Sequence, residues 1–149
     1  MGFQALATTS AGFAGTMGRL DGRVTRHEAL EHARTLVAAT ELPVSADLEN
    51  CFAHDPGGVA ETIGLAVAAG LAGASVEDHS PGTPEAIYAP GPARHRVEAA
   101  ADAAHTGPVR IVRPLSAWPG YRSDRISPGW PRRPWRPPPG SSWTGPSPG

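Results

Sequence analysis

"LPVSADLEN", Leu42 to Asn50, decides how the chain is read. An apolar entry, Leu42 to Val44, runs into two acids two residues apart, Asp47 and Glu49. Twenty-eight residues after Glu49 the pattern returns: "AGASVED", Ala72 to Asp78, ends in Glu77 and Asp78. Each stretch has the length and apolar character of a strand buried in a parallel sheet, with carboxylates where the strand finishes.

Between and around them lie helical patterns. "TRHEALEHARTLVAAT" opens with Thr25 and Glu28 in the Ser/Thr-x-x-Glu spacing, in which each side chain bonds an otherwise unpaired N–H. Ala29, Ala33, Leu36, Val37 and Thr40 form its apolar stripe. "DPGGVAETIGLAVAAG" places Asp55 as N-cap and Pro56 at the first helical position, with Gly70 suited to the C-terminal cap. Val59, Ile63, Ala66 and Val67 face inward. "GPARHRVEAAADAAHTG" is a third helix. "FQALATTS" reads as a first strand and "PVRIV" as the start of a fourth. The order is βαβαβαβ, spaced for right-handed parallel crossovers. Periodicity fits either a doubly wound sheet or part of a (β/α)8 barrel, and does not choose between them.

In both architectures ligands bind beyond the carboxyl ends of the strands. Asp47, Glu49, Glu77 and Asp78 fall there, and period-two alternation would send Asp47 and Glu49 to one side. Asp21, in the loop "GTMGRLDGR", reaches the same end. Clustered carboxylates raise one another's pKa, and a divalent cation removes the conflict. Hard oxygen donors without a nearby His/Cys pair favour Mg²⁺ or Mn²⁺ over Zn²⁺. The alternative for these acids is helix capping and a solvated rim.

The chain has 149 residues and a net charge of −1, so nothing global points to nucleic acid or a membrane surface. No apolar run approaches the roughly 20 residues that cross a bilayer. Cys51 is the only cysteine, which excludes an internal disulfide and suits a reducing cytoplasm. The six histidines lack metal-ligand spacing and read as solvated surface groups, with His79 placed to touch substrate. "TTSAGFAGTMG" has no nucleotide-loop ending and reads as a flexible strand-to-helix loop. Its backbone N–H groups could still hold a carboxylate or phosphonate.

Composition breaks near residue 112. Residues 1–112 carry seven Arg and thirteen acids, while 113–149 carry six Arg and one acid. All four Trp and ten of the seventeen Pro lie in the second part. Residues 113–149 are therefore expected to be disordered or extended. An out-of-frame reading of a GC-rich gene is one origin for them, and a proline-rich linker or partner-binding tail is the other. As a rival function, the basic, Trp-containing tail would bind a partner or nucleic acid.

"ALATTSAGFAGTMGRLDG", "LPVSADLEN" and "AGLAGASVED" together resemble the isocitrate lyase/phosphoenolpyruvate mutase superfamily, nearest its phosphonomutase-like and carboxyvinyl-carboxyphosphonate phosphorylmutase-like branch. The resemblance covers about residues 2–112. It implies a partial (β/α)8 barrel over 1–112 and a Mg²⁺ (or Mn²⁺) site at its C-terminal face. The implied chemistry makes or breaks C–C or P–C bonds in a small carboxylate or phosphonate substrate through an enolate-like species. By position, Asp47 resembles the direct metal ligand; Glu49, Glu77 and Asp21 resemble the acids that hold the metal's waters. Asp21 and Glu77 fall in the catalytic set, and Thr9, Ser10 and Ala11 fall where the substrate is bound. The row departs from the family at "NCFA", where Cys51 and Ala53 stand for two glycines. "HSPGTPEAIYAPGPARHR" lacks the Lys-Lys/Arg-Cys-Gly-His segment of the lyases, so cleavage chemistry through cysteine is not expected, and Cys51 reads as a packing residue. A complete barrel takes about 250 residues. The expectation is thus a shortened form of doubtful activity whose open sheet edges leave it unstable or self-associating as a homo-oligomer.

Overall fold

The computed structural model describes residues 2–79 and 87–112. The expected disorder of 113–149 lies outside the described residues. The elements are β1 (Leu6–Ala7), α1 (Ser10–Thr16), α2 (Arg26–Ala39), β2 (Val44–Asp47), α3 (Pro56–Ala68), β3 (Gly73–Ser75), α4 (Pro90–Ala104) and β4 (Arg110–Val112).

All four strands pair in parallel, in the spatial order β1-β2-β3-β4. A doubly wound sheet reverses direction at a switch point, and this one does not. Sequential parallel order is that of consecutive units of a (β/α)8 barrel, with the crossover helices all on one face.

The faces of the sheet differ accordingly. Along β2 and its extension, Val44, Ala46 and Leu48 are buried while Ser45, Asp47 and Glu49 are half-buried. Ala74 and Val76 continue the buried row. With Leu30 and Ala33 of α2, Val59, Ile63 and Ala66 of α3, and Ala100 and Ala104 of α4, they form the core beneath the helices. The opposite face carries small and polar groups. On that face a Cβ at Gly73 would stand 2.8 Å from Ser45 Oγ and 3.2 Å from Ser45 Cβ, so any larger residue there would displace the Ser45 side chain.

The helix caps follow the sequence. Thr25 and Glu28 complete a reciprocal capping box. The Asp55 side chain accepts from the Gly58 N–H at 2.9 Å, and Pro56 opens α3. Gly70 follows α3 at φ +82, a left-handed conformation that closes the helix.

Three readings change. The strands are two to four residues long, shorter than the apolar runs suggested. The stretch read as a flexible loop contains α1, seven residues that begin at Ser10. Its two internal glycines and uncapped N-terminus hide it from propensity arguments. In α2, Leu30 is fully buried although the predicted stripe omitted it, while Leu36 and Val37 are half-buried.

Candidate active site

β2 ends at Asp47, and the chain then leaves the pleat. Glu49, Cys51 and Phe52 have φ of 50°, 59° and 54°. None is a glycine, and each such residue costs about 1–3 kcal/mol unless its surroundings hold it. The "NCFA" turn is therefore strained where the family's glycine was expected, at Cys51. Ala53, the second replacement, is not in the left-handed region. Glu49 keeps to the half-buried side that Asp47 occupies, the side the period-two argument gave it, although its own backbone has already left the strand conformation.

Asp47 is held from three sides. Its Oδ2 accepts from the Ser10 N–H at 2.9 Å. Its Oδ1 accepts from the Glu49 N–H and the Ser75 hydroxyl, both at 3.1 Å. Ser75 is its register partner on β3. The Asp47 N–H donates to Thr8 Oγ1 at 2.9 Å. Burial alone would raise the pKa of Asp47. The bonds from the Ser10 and Glu49 amides, with those from the Ser10 and Ser75 side chains, outweigh it and bring the value below 3.8.

Glu49 is the opposite case. Burial pushes its pKa up to about 7, and the charges of Asp21, Asp47 and Glu77 add to the shift. Glu77 is raised by burial and by Asp47, Asp21 and Asp78, with His79 opposing. Among the described residues neither glutamate side chain has a hydrogen-bond donor. The Glu77 N–H donates to the Glu49 carbonyl at 2.7 Å and ties the two strand ends together.

Asp21, Asp47, Glu49 and Glu77 thus share one electrostatic environment at the mouth. Asp78 is buried, and its carbonyl accepts from the Tyr88 N–H. A cleft beside the acids is lined by Thr9, Ser10, Asp47 and Glu49, with Phe13 and Phe52 as its apolar wall. Ala11 is exposed on the first turn of α1. Among the described residues no three His, Cys, Asp or Glu side chains are placed to enclose an ion by themselves.

Cys51 is buried, and burial lifts its pKa to about 12, so it is an inert packing thiol. Of the histidines read as solvated, His32 is half-buried, while His54 is exposed as expected. His32 stacks on Phe13 with 4.0 Å between centroids and lines the cleft. His54 Nδ1 lies 2.8 Å from the Tyr88 hydroxyl. His79 is exposed, as expected of a group near the mouth.

Sequence reasoning missed Ser75, Thr62 and Arg96. Ser75 could have been found from strand register. Arg96 occupies a core position in the stripe Ala93, Ala100 and Ala104, where a lone arginine is itself a signal.

The family model for phosphoenolpyruvate phosphomutase matches residues 1–112. The chain belongs to this family. Among solved structures, this phosphomutase-family chain is similar to a Burkholderia cenocepacia J2315 protein described as a lyase/mutase. They share 48% identity at a TM-score of 0.72, over 75% of this chain and 41% of that one. A protein from the same organism described as a phosphonomutase shares 36% identity at a TM-score of 0.70, over 75% and 46%. A 2,3-dimethylmalate lyase of the phosphoenolpyruvate mutase/isocitrate lyase superfamily shares 25% identity at a TM-score of 0.69, over 75% and 41%. The chain spans less than half the length of each of these structures. No curated protein matches it at a significant level. Among the described residues, no helix is long and apolar enough to cross a membrane.

Proposed function

We propose that residues 2–112 carry the cation-binding part of a Mg²⁺-dependent site for making or breaking C–C or P–C bonds in small 2-oxo acids or related carboxylates. One observation carries the reading. Glu49, half-buried and without a hydrogen-bond donor among the described residues, is pushed up by burial and by the charges of Asp21, Asp47 and Glu77, while the hydrogen bonds on Asp47 keep that carboxylate ionised. A divalent cation, when bound, supplies positive charge against a substrate carbonyl and lowers the energy of an enolate-like species.

Asp47 is the direct ligand in this reading. Its hydrogen bonds fix the carboxylate and hold it charged, and Oδ2 has capacity beyond the Ser10 N–H. Glu49, Glu77 and Asp21 hold the cation's waters. Asp21 and Glu77 are also the acids nearest the reacting substrate. Thr9, Ser10 and Ala11 position the substrate's carboxylate or phosphonate. Asp47 already engages both the Ser10 N–H and the Ser10 side chain, so direct binding falls to the Thr9 side chain and the Ala11 N–H. Thr9 makes no side-chain cap bond, which leaves its hydroxyl for the substrate. The neighbours described as a lyase/mutase and a phosphonomutase support the reaction class. A cytoplasmic setting agrees with the lone, buried thiol.

The test is turnover by the full chain with Mg²⁺ of oxaloacetate, phosphonopyruvate and 2-methylisocitrate, beside a chain with Asp47→Ala. Turnover of one substrate, lost on substitution, supports the reading. Turnover that survives Asp47→Ala contradicts it.

A further inference from the structure

A buried arginine grips the turn that follows the acid-bearing strand end without touching the acids. Arg96, seventh in α4, is 1% exposed. Its Nη1 donates to the carbonyls of Ala53 at 2.5 Å and His54 at 2.9 Å, and its Nη2 to the carbonyl of Asn50 at 2.6 Å. Its guanidinium lies 4.1 Å over the Tyr88 ring. The Tyr88 hydroxyl accepts from Asn50 Nδ2 at 3.1 Å. From α3, the Thr62 hydroxyl donates to the Cys51 carbonyl at 2.8 Å.

Together these contacts take the carbonyls of residues 50, 51, 53 and 54. They enclose the turn in which three side-chain-bearing residues hold left-handed conformations. Such a turn relaxes unless its surroundings over-determine it. The Glu49 carboxylate has no hydrogen bond of its own among the described residues, so its aim is set by this backbone. A guanidinium is suited to the task because its planar fork presents several N–H groups in fixed directions, whereas an ammonium is a point charge on a flexible stem.

We propose that Arg96 is a positioning residue: it clamps the 50–54 turn in its left-handed form and thereby aims Glu49 at the acid cluster. The value of that aim rests on the cation reading above; the clamp itself does not.

Amide hydrogen exchange on the full chain without a cation tests it. Arg96→Lys is expected to speed exchange at Glu77, whose N–H bonds the Glu49 carbonyl, and at Cys51 and Phe52, by about tenfold or more. Ala72 and Arg110, bonded elsewhere in the sheet, should stay within about twofold. Adding Cys51→Gly, which suits the left-handed position, should restore protection. Adding Gly64→Ala, which strengthens α3 where a Cβ meets nothing within 4 Å, should not. A uniform change across the sheet, no change, or equal rescue by both additions overturns the proposal. If Arg96→Lys does not fold, Tyr88→Leu removes the ring without stranding a charge. The same selective loss there supports the clamp, and a uniform loss overturns it. Mn²⁺ titration separates the two ideas. A chain that shows the exchange pattern but binds no Mn²⁺ keeps the clamp and loses the cation reading. A chain that binds Mn²⁺ without the pattern does the reverse.

Discussion

The α3–α4 layer and the mouth of the sheet follow opposite rules. In α3 every local choice agrees with the fold: a capping Asp55, Pro56 at the first turn, a left-handed glycine after the end, and Val59, Ile63 and Ala66 in the core. At the mouth nearly every local choice conflicts. Four carboxylates share a field, and three residues with side chains occupy glycine's region. Frustration of this kind persists only where a consistent scaffold surrounds it. Thr62 from α3 and Arg96 from α4 are the points where the scaffold grips the strained turn.

Damage to the scaffold should have the largest effect. Ile63→Ala removes a fully buried side chain from under the sheet. It should lower unfolding free energy by about 2–5 kcal/mol in urea titration. Thr62→Val acts at the junction. It leaves the buried Cys51 carbonyl without its hydroxyl donor and should cost about 1–3 kcal/mol, with faster exchange at the turn than in β4. Asp55→Ala removes only a cap and should cost about 1 kcal/mol, with the mouth unchanged by NMR shifts.

A different kind of effect separates the regions by pH. The folded Glu49 pKa is about 7 against an ordinary 4.5, so the folded chain keeps a proton that the unfolded chain has released. That favours folding fully below about pH 4.5 and is lost as pH rises to about 7. Glu77 shifts in the same direction. Asp47 is reversed: its contribution is present above its ordinary value of 3.8 and is lost as pH falls through the depressed folded value. Without divalent ions the urea midpoint should therefore fall between about pH 5 and about pH 8, and Glu49→Gln should shrink the fall. An equal fall in the variant would remove Glu49 from the account. Smallest of all, Arg94→Ala breaks an exposed pair with Glu98 at 3.0 Å and should change stability by at most about 0.5 kcal/mol.

The same contrast governs what the sequence revealed. Caps, apolar stripes and strand order depend on neighbours three or four residues away, and α2, α3, α4 and four parallel strands were legible from them. Strand-end position pointed to Asp47, Glu49, Glu77, Asp78 and Asp21, and the resemblance added the barrel and the roles of these acids. Strand lengths were overestimated because hydrophobicity continues through Leu48 and Val76 after the ladder has ended. The bonding of Asp47 was not legible, since Ser10 and Ser75 lie 37 and 28 residues away in sequence. Nor was the left-handed backbone of Glu49, which has no local signature. The clamp was missed for a third reason: Arg96 follows two other basic residues, Arg94 and His95, and reads as one more surface charge.

The central idea is that these acids share one cation. Titrating the full chain with Mn²⁺, followed by electron paramagnetic resonance, tests it most directly. The account predicts one bound ion per chain, displaced by Mg²⁺ and lost with Asp47→Ala. Undiminished binding after that substitution, or no binding by the unsubstituted chain, would contradict it.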